Sequence, residues 1–228
     1  MTAKQKTGEL FKSLVKKGTL KQEVYQNTLT GFQLFKEGMA ELTRKYESLG
    51  NGESKLLPFT YRDKGEFEAE LKFAGDVLVF MMHTNVFEFP RDHEVMKTPY
   101  ILEDKERSYC GIINIFNFLS DSFKYNRLGD AGYLIGRVFI NKENHCFVEG
   151  KREIGFVYKN FGTSILDKGR AMEILESSIY YTINFDLLTP PYDQVKEVLA
   201  MEFLTTLDTM RLKTGKRLGF RFQADLED

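Results

Sequence analysis

The sequence predicts an α+β protein with a mainly antiparallel sheet of about five to six strands, a long N-terminal helical segment and two C-terminal helices packed on the sheet. Apolar residues in the first 50 positions recur at alternating steps of three and four, which is the spacing of one helix face. From residue 66 the period changes to two, as in half-buried strands, and helical spacing returns near residue 165. Because the strands are grouped along the chain, an antiparallel sheet is favoured over βαβ units.

The N-terminal segment predicts two consecutive helices. Residues 4–17 are lysine-rich and form the first, which Gly18 is expected to end. The second is expected to run from about Thr19 to Leu49. Its apolar stripe includes Phe32, Phe35, Met39, Leu42, Tyr46 and Leu49.

The stripe on this second helix can be buried in two ways, against the chain's own sheet or against a second copy of the chain. It can cover the protein's own sheet, as helix faces in α+β proteins do. Its narrow repeat also suits a seam between helices, which predicts a homodimer through helix 19–49. Gly31 and Gly38 beside the stripe would let another backbone come close. The loop "GNGESKLLP" then separates an N-terminal helical extension, residues 1–50, from an α+β core, residues 51–228.

The first predicted strands form a hairpin. "EFEAELKF" (66–73) alternates strictly between apolar and charged residues, and a turn at 74–76 leads into a partner strand that Pro90 stops. After a polar connection, "YCGIINIFNFL" (109–119) is apolar at both parities. This composition is expected of a central strand that is covered on both faces.

The remaining elements follow the same two periods. Strands are predicted at 132–140 and 145–150 around the loop "NKEN", and again at 153–161. Helical spacing predicts a helix at 165–184 and another from "TPPYD" to about Leu212. "RLGFRF" near the C-terminus is a candidate edge strand.

Composition narrows the functional classes. The 228 residues are 42% hydrophobic and 29% charged, as in an ordinary globular protein. Lys and Arg total 32 against 33 acids, so no global field attracts nucleic acid. The N-terminus is too polar for a signal peptide, and no apolar run approaches the roughly 20 residues of a membrane span. We therefore expect a cytoplasmic protein without membrane insertion, with Cys110 and Cys146 reduced.

No motif for a metal, a nucleophile or a phosphate-binding loop is present in the sequence. His83 and His93 are separated by a strand and a proline, and His145 and Cys146 would point to opposite faces of a strand. Cys110 and Cys146 lie in apolar contexts that raise a thiol pKa. The glycine-lysine segments match neither phosphate-binding pattern. We therefore predict no metal and no cofactor.

Polar residues that interrupt the apolar strands are the candidate ligand-binding groups. They are His83, Asn114 and Arg137. A buried polar group without a partner costs about 1–3 kcal/mol, so each needs a hydrogen-bond partner in the protein or in a ligand. Arg137 is the most informative, because a guanidinium among apolar neighbours is the most costly to bury alone.

A basic segment near the C-terminus points to nucleic acid as an alternative partner. Its cations are Arg211, Lys213, Lys216, Arg217 and Arg221, and they alternate with two phenylalanines. Basic groups interleaved with aromatic rings are typical of single-strand nucleic-acid binding. The acidic "ADLED" that follows, and the place of these cations at a helix end, make nucleic acid an unlikely partner.

The leading functional hypothesis is a non-catalytic binding or regulatory module that holds a small apolar or amphipathic ligand, or a partner protein. One alternative is an enzyme without a recognisable motif that acts from the same cavity through His83 or Arg137. The other is a nucleic-acid-associated protein that uses the basic C-terminal segment.

Overall fold

The computed structural model describes residues 3–49, 57–127, 129–151, 153–156, 160–186, 189, 191–197 and 199–201. Its α-helices are α1 (Ala3–Leu49), α2 (Pro99–Glu103), α3 (Ser120–Lys124), α4 (Glu153–Phe156), α5 (Lys168–Ile183) and α6 (Tyr192–Val195). Its strands are β1 (Phe59–Asp63), β2 (Glu68–Phe73), β3 (Asp76–Met82), β4 (Phe87–Glu88), β5 (Tyr109–Leu119), β6 (Tyr133–Asn141) and β7 (Cys146–Gly150). The α+β class is confirmed.

The seven strands form one antiparallel sheet in the order β1-β2-β3-β5-β6-β7, and β4 pairs with β5. The predicted turn at 74–76 is confirmed as a tight hairpin, since Ala74 and Gly75 both have positive φ. The "NKEN" loop is confirmed as well. There Asn141 Oδ1 accepts hydrogen bonds from the backbone N–H groups of Glu143 and His145, which holds the turn.

Helix α1 and helix α5 cover one face of this sheet. From Leu20 to Met39, α1 buries the stripe that the sequence shows, with Phe32, Phe35 and Met39 almost inaccessible to solvent. Strands β2, β3, β5 and β6 supply the opposite side of this core, and α5 adds Ile174 and Leu175. This part of the stripe is therefore covered by the chain's own sheet and α5, whereas Leu49 at its end is exposed. A homodimer through helix 19–49 and the division at residue 50 stay predictions.

The glycines near α1 permit the close approach of side chains. A Cβ on Gly31 would lie 2.7 Å from Cδ1 of Ile140, and one on Gly38 would lie 3.3 Å from Cδ2 of Leu175. A Cβ on Gly111 of β5 would lie 2.7 Å from Cβ of Thr28 and closer still to its hydroxyl. The helix thus contacts the sheet where glycine leaves room for it.

Among the described residues, the cover on the second face of the sheet lies at one end. The connection between β4 and β5 folds into two 3₁₀ turns (Glu94–Lys97 and Lys105–Ser108) around α2. It forms a small second core with the strands, made of Phe89, Val95, Ile101, Cys110, Phe139 and Phe161. Farther along β5, Asn114, Phe116 and Phe118 are half-buried. The prediction that β5 is covered on both faces is thus met over part of its length.

Three sequence predictions differ from the structure. Gly18 does not end a helix, because the good helix formers on both sides and the burial of Leu20 outweigh the roughly 1 kcal/mol cost of one glycine. Residues 153–156 form the short helix α4 instead of a strand. The strand predicted to run from the 74–76 turn to Pro90 is divided, because β3 ends at Met82 and the short strand β4 pairs with β5. Strand β1 lies where no strand was predicted.

Other predictions lie wholly or partly outside the described residues. The helix at 165–184 is confirmed as α5. Of the helix expected from "TPPYD" to Leu212, α6 and positions 200–201 are helical, whereas the described residues 196, 197 and 199 are not, so the continuous helix is contradicted there. The "RLGFRF" strand lies outside the described ranges.

The contact between α1 and β5 gives a stability test. Replacing Gly111 by alanine should lower the free energy of unfolding by about 1–3 kcal/mol, because the added methyl group overlaps Thr28. Urea unfolding followed by circular dichroism measures this change. The matched control is Gly18→Ala, where nothing lies within 4 Å of the new Cβ. That variant should be more stable by up to about 1 kcal/mol. An unchanged midpoint for Gly111→Ala would contradict the close packing.

Candidate functional site

Two of the predicted ligand-binding residues are direct neighbours on the second face of the sheet. Asn114 of β5 pairs with Met81 of β3 on one side and with Arg137 of β6 on the other. Arg137 in turn pairs with Glu149 of β7. Since directly opposite residues of paired strands project to the same face, these four side chains form one row across the sheet.

Arg137 is neither deeply buried nor alone. Its side chain is 42% exposed, and its guanidinium forms an ion pair with the carboxylate of Glu149. The other oxygen of that carboxylate lies 3.0 Å from Nε2 of His93. Nδ1 of His93 accepts the backbone N–H of Val95, so the ring proton lies on Nε2 and is donated to Glu149. The partner that the sequence required for Arg137 is therefore a protein carboxylate.

His83 lies at the end of β3, beside a different surface. Its backbone N–H donates to the carbonyl of Ile112, and its Nδ1 accepts the backbone N–H of Asn85 at 3.0 Å. Its ring packs edge-on against Phe87. A depression of about 610 Å³ adjoins this loop; its lining residues are Lys21, Gln22, Tyr25, Thr84, Asn85, Val86 and Phe87. The structure thus joins Asn114 with Arg137 and gives His83 a turn-stabilising role. Ligand binding by the three stays a prediction.

The two thiols have the properties of core residues. Cys110 and Cys146 are both buried and free. Burial raises the pKa of the Cys110 thiol well above its usual value and raises that of Cys146 to about 12. Because the thiolate is the nucleophilic form, neither group is activated for covalent catalysis.

His145 also has a structural role. Its Nδ1 lies 3.0 Å from the carbonyl oxygen of Phe161, to which it donates. Its ring stacks on Tyr100 at 4.9 Å. Within the described ranges, no group of three or more His, Cys, Asp or Glu residues could hold a metal ion.

An apolar groove lies where the C-terminal ends of α1 and α5 meet the edge strand β1. Its volume is about 510 Å³, within the usual range for ligand sites. The apolar lining residues are Leu42, Tyr46, Leu49, Phe59, Ile179, Tyr180 and Ile183. Three of them leave more than half of their surface in solvent, namely Leu49, Tyr180 and Ile183. The lining of the groove is more apolar than that of the depression beside His83.

Aromatic stacking fixes the base of the groove. The ring of Tyr46 on α1 stacks on Phe59 of β1 with centroids 5.1 Å apart, and Phe59 stacks on Phe73 of β2 at 5.6 Å. Such pairs contribute about 0.5–1.5 kcal/mol beyond their buried area. The groove therefore has a preformed base that continues into the main core.

Ion pairs set the spacing of the two helices that form the groove walls. The carboxylate of Glu41 on α1 contacts Lys168 of α5 at 2.8 Å and Lys45 of its own helix at 2.9 Å. The hydrogen bonds from Lys168 and then Lys45 lower the pKa of Glu41 to about 2. The polar groups along the rim are Lys45, Ser48 and Glu176.

One wall of this groove belongs to the apolar stripe that the sequence predicts, although the groove itself was not predicted. The stripe residues Leu42, Tyr46 and Leu49 continue the pattern of α1 to the edge of the sheet, where Tyr46 stacks on Phe59 of β1 and Leu49 is exposed. The α5 wall and Phe59 of β1 come from distant parts of the chain. The helical pattern of 165–184 contained a weak signal, because Ile183 lies one turn after Ile179.

The basic C-terminal residues Arg211, Lys213, Lys216, Arg217 and Arg221 lie outside the described residues. The nucleic-acid alternative therefore stays a prediction. None of the described helices has the length and the apolar character that a membrane crossing requires. Comparison with protein-family models, curated proteins and solved structures found no match to this chain.

The ion pairs at the groove predict an unusual titration. The carboxyl of Glu41 should remain ionised down to about pH 2, whereas an ordinary glutamate titrates near 4.3. Its ionised contacts therefore stabilise the fold above the ordinary pKa, and this contribution is lost as the pH falls through about 2. Carbon-13 NMR of the Glu41 carboxyl measures the midpoint. Lys168→Met should shift that midpoint upward, and a wild-type midpoint near 4.3 would contradict the geometry.

The thiols predict low reactivity. At pH 8 the folded protein should react with Ellman's reagent far more slowly than the urea-unfolded chain, because both thiols are buried and protonated. The absorbance of the coloured thiolate that the reagent releases measures the rate of both reactions. The single variants Cys110→Ala and Cys146→Ala separate the two sites. Rapid reaction of either thiol in the folded state would contradict its placement.

Proposed function

We propose that this protein is a non-catalytic binding module that holds an amphipathic ligand in the groove between α1 and α5. The observation that carries the proposal is the apolar groove itself, with Leu49, Tyr180 and Ile183 exposed around a stacked aromatic base. A ligand's apolar body would remove these side chains from water, which is the main source of affinity at such sites. Its polar end would lie at the rim, near Lys45, Ser48 and Glu176.

Rigid walls support this proposal further. The stacking of Tyr46 on Phe59 joins α1 to β1 at the base of the groove, and an ion pair between Glu41 and Lys168 links α1 to α5. A preformed site loses little conformational entropy on binding, so more of the apolar contact appears as affinity.

The residues of the enzyme alternative have structural partners instead. His83 accepts a backbone N–H, and Arg137 is paired with Glu149. The described thiols have raised pKa values. These observations favour binding over catalysis. A cytoplasmic location fits the two free, buried cysteines and is part of the same proposal.

A fluorescence titration tests the groove. The uncharged dye N-phenyl-1-naphthylamine should bind the wild-type protein, and Ile183→Lys should weaken that binding about tenfold. The reason is that burial of one isoleucine contributes about 1.5–3 kcal/mol, and each 1.4 kcal/mol is tenfold in affinity. Ile183 is 53% exposed, so the variant should fold normally, and circular dichroism checks this.

The matched control is Leu102→Lys, since Leu102 is 63% exposed and lies on α2, outside the groove. Dye affinity should not change in this variant. Equal losses in both variants, or unchanged affinity in Ile183→Lys, would contradict the assignment of the groove.

A further inference from the structure

The N-terminal part of α1 turns an apolar face to solvent. Leu10, Phe11, Leu14 and Val15 recur at the spacing of one helix face, and each is 58–66% exposed. The adjoining positions Gly8 and Gly18 have nothing within 4 Å of an added Cβ. Four large apolar side chains together form a patch, and such patches on folded proteins mark interaction surfaces.

The opposite face of this segment, with Lys16, and one border of its apolar face, with Lys17, contact the protein. Nζ of Lys16 lies 2.7 Å from the carboxylate of Glu106, and Nζ of Lys17 lies 3.4 Å above the ring of Tyr109. Lys12 lies one turn before Lys16, towards the other border of the apolar face. The helix therefore faces its own protein with lysines and directs its apolar side outward. This is the reverse of the usual arrangement for a surface helix.

Charge decides which partner fits this face. Residues 3–21 contain six lysines and one glutamate, a net charge of +5, although the whole chain has a net charge of −1. Two copies of this segment would repel each other if their helices paired. Nucleic-acid phosphates would match the lysines but would leave the leucines and Phe11 in water. An anionic lipid surface offers both headgroup charge and an apolar boundary.

We propose that residues 3–18 of α1 bind the surface of an anionic membrane. The helix lies in the plane of the interface, with Leu10, Phe11, Leu14 and Val15 in the boundary between headgroups and acyl chains. Lys12, which follows Phe11 at the border of the apolar face, reaches the lipid headgroups, and the other lysines of the segment add a positive field that attracts an anionic surface. The helix does not cross the bilayer, in agreement with its polar face. This site is separate from the groove at the other end of α1.

Vesicle co-sedimentation of the full chain tests the proposal. Vesicles of phosphatidylcholine alone are compared with vesicles that contain about 30 mol% phosphatidylglycerol, which supply the negative surface potential. We expect binding to the anionic vesicles to be at least about tenfold tighter, and to weaken as salt is raised because the charges are screened. No binding to anionic vesicles, or equal binding to both kinds, would overturn the proposal.

Two matched variants identify the face that binds. Leu14→Asp should reduce binding to anionic vesicles by about tenfold or more, since an apolar contact is replaced by a negative charge. Leu102→Asp, at an equally exposed leucine on α2, should not change it. Circular dichroism verifies that both variants retain their helices. A loss of binding in both variants would overturn the assignment to α1.

Two further measurements distinguish membrane binding by α1 from self-association and from ligand binding in the groove. Sedimentation velocity reports self-association; a dimer that Leu14→Asp abolishes, without vesicle binding, would identify a second copy as the partner and overturn the proposal. Ile183→Lys should bind anionic vesicles as the wild type does, because Ile183 lies in the groove. Loss of vesicle binding in that variant would overturn the separation of the two sites.

Discussion

Helix α1 buries Val24, Phe35 and Met39 on one face of the sheet, and Thr28 comes so near to Gly111 that no side chain fits between them. This packing is the constraint on which the other features depend. A helix of 47 residues is about 70 Å long. It contacts β6 through Asn27 and β1 through Tyr46, so the sheet covers its middle, and its N-terminal turns and Leu49 extend beyond the sheet.

The two ends of α1 differ in what lies against them. At the C-terminal end, α5 lies alongside, and the ion pair of Glu41 with Lys168 fixes the distance between the helices. The apolar residues that the sheet does not reach then line a groove. At the N-terminal end no described element covers the apolar face, and Lys16 holds the opposite face to Glu106. The proposals together describe a peripheral binding module whose groove lies about 50 Å along α1 from its lipid-binding segment.

The second face of the sheet shows how this protein accommodates charge among apolar strands. Arg137 and His93 both contact the carboxylate of Glu149, so the guanidinium and the imidazole have a partner within the fold. Pairing of this kind satisfies a polar side chain without a ligand. Arg137 and His83 therefore have hydrogen-bond partners in the protein, and ligand binding through them stays a prediction.

Local pattern determined much of the architecture. The strand at 109–119 has the predicted bounds. The turns at 74–76 and "NKEN" could be predicted because each depends on interactions between residues that are close in sequence: positive φ at Ala74 and Gly75, and hydrogen bonds to the Asn141 side chain. The apolar run at 153–161 could not, since such a run fits a strand or a buried helix equally well. Only the tertiary structure decided that Glu149 pairs with Arg137, that Gly18 stays helical, and that Leu49 meets Ile183 across a groove. These outcomes depend on contacts between residues far apart in the chain. Hydrophobic periodicity indicates which face of an element is buried, but it does not indicate which distant element covers that face.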